Sequence, residues 1–143
     1  MKKLLFKTFL MAVVACACLS LSSCGKSAEA LNAEADDLVT DGKIDKDKID
    51  DALDLYDDVA DKMESMVDDV VDYEVKRDGD EDYEDADLEE EVMLVSEAYD
   101  KLRSALYDAK LDKDQKKRFK EINKRFKKME KDARKKLKKE LDD

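Results

Sequence analysis

The sequence predicts an all-α protein, an antiparallel three-helix bundle of long helices whose apolar residues repeat with heptad spacing. The 143-residue chain has no proline and only three glycines, so it lacks the turn residues that a β-rich fold requires. Charged residues make up 47% of the chain, a level that is also found in disordered proteins. The regular apolar spacing favours folded helices over disorder.

Residues 1–23 are predicted to be an export signal peptide. Lysines at positions 2, 3 and 7 precede an apolar run over residues 9–21, which is the pattern of a secretory signal. This run is shorter than the roughly 20 apolar residues that a transmembrane helix needs. Leu21-Ser22-Ser23-Cys24 follows, with an aliphatic residue, two small residues and a cysteine. The tetrapeptide resembles the lipobox of bacterial lipoproteins, and the resemblance covers the first 25 residues.

The lipobox resemblance implies cleavage between Ser23 and Cys24 and acylation of Cys24, so that palmitate-type chains anchor the protein in a membrane of the cell envelope. Gly25 after the cysteine is similar to the proteobacterial pattern of outer-membrane sorting. It favours the outer membrane, at its periplasmic or surface face, over the inner membrane. The alternatives are a lipid on Cys16 or Cys18, or an ordinary secretory signal with an unmodified Cys24. Acylation at Cys24 leaves a mature chain with no free thiol and no disulfide, and with a net charge of −14.

The segment after the cysteine is predicted to be a lipidated tether or a short helix. Residues 27–39 are rich in alanine, and Asp41-Gly42 then breaks the chain. The predicted layout is a signal peptide, a tether or short helix, and a helical bundle, at residues 1–23, 24–43 and 44–143.

The first long helix is predicted from Ile49, with Asp45 or Asp47 as its N-cap. Its apolar residues alternate at spacings of three and four, which places them on one side of the helix. These seam residues are Ile49, Ala52, Tyr56, Val59, Met63, Met66, Val70 and Tyr73. Additional apolar residues widen the stripe, as expected for a helix buried against two neighbours: Leu53, Ala60 and Val67. A polar loop is predicted over residues 76–83.

Two further long helices show the same kind of spacing. The second has its seam at Leu88, Val92, Val95, Tyr99, Leu102, Leu106 and Ala109. The third has its seam at Phe119, Ile122, Phe126, Met129, Ala133, Leu137 and Leu141, and the spacing drifts towards the end. Asp112 and Gln115 have the spacing of a capping box, in which each side chain bonds to the other residue's backbone N–H. Short connections between helices of similar length favour an antiparallel arrangement.

Charge is segregated along the chain. Residues 24–109 carry 9 basic and 31 acidic side chains (net −22), whereas residues 110–143 carry 16 basic and 8 acidic side chains (net +8). Pairing of the basic helix with acidic helices in the same molecule is the favoured interpretation. The alternative is binding of a polyanion, such as lipid headgroups or lipopolysaccharide, through Lys116, Lys117, Arg118, Lys120, Lys135 and Lys136.

Other ligand classes are expected to be absent. Nucleic acid is not expected as a partner, because the chain is predicted to be exported and its basic helix has no exposed set of aromatic residues for stacking. Residues 37–48 have the glycine of a calcium loop, but Val39 and Lys48 occupy two ligand positions, so an EF-hand is rejected. The acidic run at 78–91 is interpreted as a solvated loop and helix start, with loose binding of divalent cations as the alternative. No metal or cofactor is predicted.

The sequence predicts a protein that is not an enzyme. The mature chain has no histidine and no free cysteine, so the usual general base and the usual thiolate nucleophile are missing. The leading hypothesis is a lipid-anchored interaction or structural module, with a protein partner or self-association. Seam residues such as Met63, Val95 and Phe126 are expected to carry the fold.

Two pentapeptides suggest an alternative function. Leu111-Asp112-Lys113-Asp114-Gln115 and Ile44-Asp45-Lys46-Asp47-Lys48 resemble the LTxxQ motif of small helical periplasmic chaperones of the Spy/CpxP type. The resemblance implies chaperone-like or stress-related binding of envelope client proteins. N-capping of a helix also accounts for both segments.

Overall fold

The computed structural model describes residues 25–142 and contains, within them, four α-helices and one small hairpin. The helices are α1 (Ala28–Leu38), α2 (Ile49–Gly79), α3 (Ala86–Asp108) and α4 (Lys113–Asp142). The hairpin strands are β1 (Val39–Thr40) and β2 (Lys43–Ile44), and one turn of 3-10 helix, Lys46–Lys48, precedes α2. The predicted all-α class is confirmed. The proposed signal peptide and the cysteines at positions 16, 18 and 24 lie outside the described residues.

Helix α1 is a folded element and is packed into the core. The Ser27 hydroxyl caps it by accepting a hydrogen bond from the Ala30 backbone N–H at 3.2 Å. Ala28, Leu31 and Ala35 are buried, and their spacing of three and four places them on one side of the helix. This side packs against α2 and α3. Of the two predicted alternatives, the short helix is therefore the one that forms.

The break at Asp41-Gly42 is a two-residue hairpin turn. Val39 pairs with Ile44 and Thr40 with Lys43 in the antiparallel strands. Asp41 and Gly42 have φ angles of 51° and 73°, the left-handed conformation at both turn positions that tight hairpins require. The predicted break is confirmed, although the sequence did not predict the strands.

The predicted N-cap of α2 is wrong. The Asp45 side chain makes no capping hydrogen bond, and Asp47 lies inside the 3-10 turn. The N-cap position of α2 is Lys48. The turn closes instead through the backbone, where the Lys48 N–H donates to the Asp45 carbonyl at 2.9 Å.

All eight predicted seam residues of α2 are buried, together with the three that widen the stripe. The loop predicted from residue 76 is wrong, because α2 continues to Gly79. The side chains of its last turn have partners: Arg77 pairs with Glu74 at 3.6 Å and lies over the Tyr73 ring, while Lys76 lies over the Tyr83 ring. Cations near a helix carboxyl end are also favoured by the helix dipole.

The predicted capping box at the start of α4 is confirmed. Asp112 Oδ1 accepts hydrogen bonds from the backbone N–H groups of Asp114 and Gln115, both at 2.9 Å. In return, Gln115 Oε1 accepts from the Asp112 N–H at 3.1 Å. Helix α3 begins in a related way, with the Asp85 carboxylate accepting from the Leu88 N–H at 3.1 Å.

The core of the described residues is apolar, and α2 lies at its centre. Helix α2 packs against α1, α3 and α4. Tyr56 brings the long helices together, because its ring lies 5.8 Å from Tyr99 on α3 and 5.0 Å from Phe126 on α4. Tyr99 and Phe126 meet edge to face at 4.7 Å, and the Tyr56 hydroxyl donates to Asn123 at 3.0 Å. No charged residue among those described is buried, so charge is confined to the surface and to helix flanks.

The seams become less buried at the helix ends. On α3 the central residues Val95, Tyr99, Leu102 and Leu106 are buried, while the remaining seam residues pack at the edge of the core. On α4 the seam is buried from Ile122 to Ala133, and Leu141 is 45% exposed. None of the helices within residues 25–142 has both the length and the apolar character needed to cross a bilayer.

Candidate interaction surface on helix α4

A row of acidic residues on α2 faces the basic helix α4. Successive members are spaced alternately by four and three positions, so they lie along one side of α2. The row consists of Asp50, Asp54, Asp57, Asp61, Glu64 and Asp68. Each member has a polar or basic partner on α4.

The contacts run in the same order along both helices. Gln115 donates to Asp50 at 3.0 Å, and Arg118 pairs with Asp54 at 2.6 Å. Further along both helices, Lys136 donates a hydrogen bond to Asp68, and this bond raises the pKa of the Lys136 ammonium. The two helices are therefore parallel to each other. The favoured prediction, charge pairing within the molecule, is confirmed for these residues.

Arg125 is the most connected residue in this row. Its guanidinium bonds both oxygens of Glu64, at 2.8 and 2.7 Å, and donates to Asp57 at 2.9 Å. A further bond goes to Asp61. The hydrogen bond with Glu64, followed by that with Asp61, raises the pKa of Arg125. The planar group with its several donors suits two-pronged binding of a carboxylate, which a lysine cannot provide.

The sequence did not single out Arg125, although a signal for it was present. Arg118 and Arg125 are seven residues apart, and the acids at 54, 57, 61 and 64 have heptad spacing on the other helix. Two such series on the flanks of adjacent seams are expected to meet.

The six residues predicted to contact a polyanion fall into two groups. Arg118 and Lys136 point towards α2 and are engaged by its acids. Lys116, Lys117, Lys120 and Lys135 are exposed, and within residues 25–142 they take part in no ion pair. The predicted set therefore mixes two surfaces of the same helix.

The exposed group belongs to a larger surface, which we call the lysine face. Its ten members are exposed lysines of α4: Lys113, Lys116, Lys117, Lys120, Lys124, Lys127, Lys128, Lys131, Lys135 and Lys138. At 100° per residue they fall within about a third of the helix circumference, opposite the buried seam, and extend over about 38 Å. No acidic residue of α4 lies among them on that side between positions 113 and 138. None of the ten forms an ion pair within the described part of the chain.

The chain enters the fold on the side of α1. Lys26 lies two residues after Cys24 and pairs with Glu34 on α1 at 2.6 Å and with Asp58 on α2 at 3.1 Å. The hydrogen bond with Glu34 is the main cause that raises the pKa of Lys26. Helix α1 packs against α2 and α3, whereas α4 packs on the Asp57–Asp61–Glu64 side of α2. Gly25 therefore lies beside α1 and α2, whereas the lysine face is on the outer side of α4.

The acidic run between α2 and α3 is a short loop followed by a helix start. Asp80 accepts a hydrogen bond from the Asp82 N–H at 3.1 Å, and Asp85 caps α3. Within residues 25–142 no group of three or more acidic, cysteine or histidine side chains is placed to hold a metal ion.

The two pentapeptides that resemble LTxxQ have different local structures. The copy at 111–115 forms the capping box of α4, whereas the copy at 44–48 covers the end of β2 and the 3-10 turn. The resemblance thus maps onto one helix start and one connecting segment. Comparison with known proteins adds no relative, because no protein-family profile, curated protein or solved structure matches the chain.

Proposed function

We propose that the protein is a small, lipid-anchored lipoprotein of the cell envelope that acts as a non-catalytic interaction module through the lysine face of α4. Its three long helices serve as an antiparallel bundle that displays this face. Tyr56 meets Tyr99, and Lys62 further along α2 pairs with Glu91 earlier in α3, an opposite order that supports this arrangement.

The observation that carries the proposal is the unequal use of charge on α4. The basic residues beside the seam have acidic partners on α2, so they contribute to the fold. The ten lysines of the outer face have none within residues 25–142 and contribute no contact to the core. A row of like charges beside one another weakens an isolated helix, so intramolecular stability does not account for it. Binding to an anionic partner does.

The anchor is tested by metabolic labelling with a radioactive or clickable fatty acid. We expect wild type, Cys16→Ala and Cys18→Ala to carry the label and Cys24→Ala to lose it, because only the Cys24 thiol accepts the diacylglycerol. Label that persists on Cys24→Ala, or that disappears from Cys16→Ala alone, contradicts the proposed anchor.

The interaction surface is tested in cells by crosslinking. Wild type is compared with the triple variant K120Q/K124Q/K127Q of the lysine face, and with K43Q/K46Q/K48Q as a control. Both variants lose three exposed positive charges, so the net charge is matched. We expect the first variant to lose the crosslinked partner and the second to retain it. The same partner yield from all three proteins contradicts the assignment of the lysine face.

A further inference from the structure

We infer that the ligand of the lysine face is a linear anionic polymer that lies along α4, rather than the membrane surface or a folded protein. This inference rests on the proposed function and specifies its partner. The polymer is defined by its chemistry: a flexible chain with closely spaced phosphate or carboxylate groups.

The composition of the face argues against a folded protein as the partner. Protein interfaces concentrate aromatic residues, methionine and arginine at their centres and are depleted in lysine. The exposed residues on this side of α4 are the ten lysines and Arg134, which pairs with Glu130 on the same helix. The aromatic residues of α4, Phe119 and Phe126, contact Tyr56 inside the bundle. Two of the arginines, Arg118 and Arg125, are bound to acids of α2. What is left outside is a set of flexible point charges that bind anions with little demand on geometry.

The position of the face argues against an anionic bilayer. A flat surface that lies against α4 also approaches the acidic row of α2 beside it, where Asp54 and Asp61 remain about two-thirds exposed. Repulsion from these carboxylates opposes the contact. Under the proposed anchor the bilayer lies next to Gly25, beside α1 and α2, whereas the lysines are on the outer side of α4. The two residues between Cys24 and the cap at Ser27 leave little length for the bundle to turn over, and Lys26 is bound to Asp58.

A single chain fits the same surface without these conflicts. The lysines form a strip one helix wide, and neighbours three or four positions apart are about 5–6 Å from each other. A polymer that follows the strip meets a positive charge at nearly every turn and stays clear of the α2 acids. Each contact releases counterions from the polymer, so binding gains strength from the number of lysines engaged and falls steeply with salt.

The experiment uses the purified protein, immobilised on beads through a tag after Asp143, with three labelled probes. These are long-chain inorganic polyphosphate, phosphatidylglycerol vesicles and phosphatidylcholine vesicles. The neutral vesicles measure any retention through the acyl chains, so that the difference between the two vesicle types reports the headgroup charge alone. Wild type, K120Q/K124Q/K127Q and K43Q/K46Q/K48Q are compared, and circular dichroism checks that all three are equally helical.

We expect polyphosphate to bind wild type and the control variant equally, and the lysine-face variant about tenfold more weakly or worse. With about five lysines engaged, affinity for the polymer should fall about 100-fold between 50 and 200 mM salt. The two vesicle types should be retained to the same extent.

Each other outcome overturns the inference. If polyphosphate does not bind wild type, an anionic polymer is not the ligand. If both variants lose polyphosphate binding equally, binding depends on net charge rather than on the lysine face. Greater retention of phosphatidylglycerol vesicles, lost in the lysine-face variant, identifies a membrane as the ligand and leaves the proposed interaction surface standing. The crosslinking and labelling experiments test the proposed function independently of this result.

Discussion

The two sides of helix α4 carry the same kind of charge and use it differently. On the side towards α2, Arg118, Arg125 and Lys136 each have at least one carboxylate partner, and Arg125 has three. On the outer side, ten lysines face solvent without a partner in residues 25–142. The net charge of +8 over residues 110–143 does not distinguish the two sides. What separates them is the angle of each residue from the apolar seam, because this angle decides whether an acidic helix lies within reach.

The difference also appears in the energetics of the helix. Charged side chains four positions apart interact by about 0.2–0.5 kcal/mol, with a sign that depends on their charges. Six pairs within the lysine face are repulsive in this way, among them Lys120 and Lys124, whereas Lys117 and Lys128 each have an acid four positions further on. The outer side therefore weakens α4, and the seam and the paired side must hold it in place.

The largest expected effect comes from removing the aromatic contact that joins α4 to the rest of the core. Phe126 is 3% exposed and touches both Tyr56 and Tyr99. Phe126→Ala should lower the free energy of unfolding by about 3–5 kcal/mol, measured by urea denaturation. Phe119, which is only partly buried and has a tilted ring contact with Tyr56 alone, is the matched control and should cost less when changed to alanine. Equal losses for the two variants would show that α4 is not held through Phe126.

The next effect separates the two sides of α4 directly. Arg125→Met keeps most of the side-chain volume and leaves Asp57, Asp61 and Glu64 without their shared partner. After allowance for solvent screening at a partly exposed site, we expect a loss of about 1–2 kcal/mol in unfolding free energy. Lys124→Met removes the same charge at the adjacent position, which belongs to the lysine face. Its unfolding free energy should stay within about 0.5 kcal/mol of wild type.

Salt adds a second readout to this pair of variants. Between low and high ionic strength the gap between wild type and Arg125→Met should narrow, because salt screens partly exposed ion pairs. A Lys124→Met loss as large as that of Arg125→Met would remove the distinction between the two sides.

Much of this arrangement follows from the sequence, and the parts that do not have physical reasons. The heptad spacing predicts the buried residues of α2 closely, because burial in a helix depends on a period that the sequence displays. The predicted end of α2 is wrong because the sequence shows Lys76 and Arg77 only as polar residues. Their contacts with tyrosine rings depend on the three-dimensional structure. The six proposed polyanion contacts were drawn from charge alone. The angle of Arg118 and Lys136 from the apolar seam separates them from the other four, but their acidic partners follow only from the position of α2.

A smaller effect is expected at the N-terminus of α4. Asp112 accepts the N–H groups of Asp114 and Gln115. Asp112→Ala removes this cap and should cost about 1 kcal/mol of unfolding free energy. Asp114→Ala is the control. It also removes a negative charge from the first turn of α4, close to the lysine face, but the Asp114 carboxylate accepts no capping hydrogen bond. If the two variants lose the same amount, the charge near the helix start matters rather than the cap.

The smallest expected effect concerns Glu74. Unlike Arg125, this mostly buried charge has only one ion pair, and that pair is long. The Glu74 side chain on α2 is 14% exposed, and its one ion pair, with Arg77, spans 3.6 Å. Burial raises the pKa of Glu74, and Arg77 offsets this only in part. Because its folded pKa lies above the unfolded value of 4.5, the stability that Glu74 contributes is present below pH 4.5 and lost as pH rises through the folded pKa. Glu74→Gln does not titrate, so it should gain unfolding free energy relative to wild type between pH 4 and pH 7. Urea midpoints at the two pH values measure this gain, with exposed Glu90→Gln on α3 as the matched loss of charge. A gain of the same size for Glu90→Gln would mean that overall acidity, and not the covered position of Glu74, sets the pH dependence.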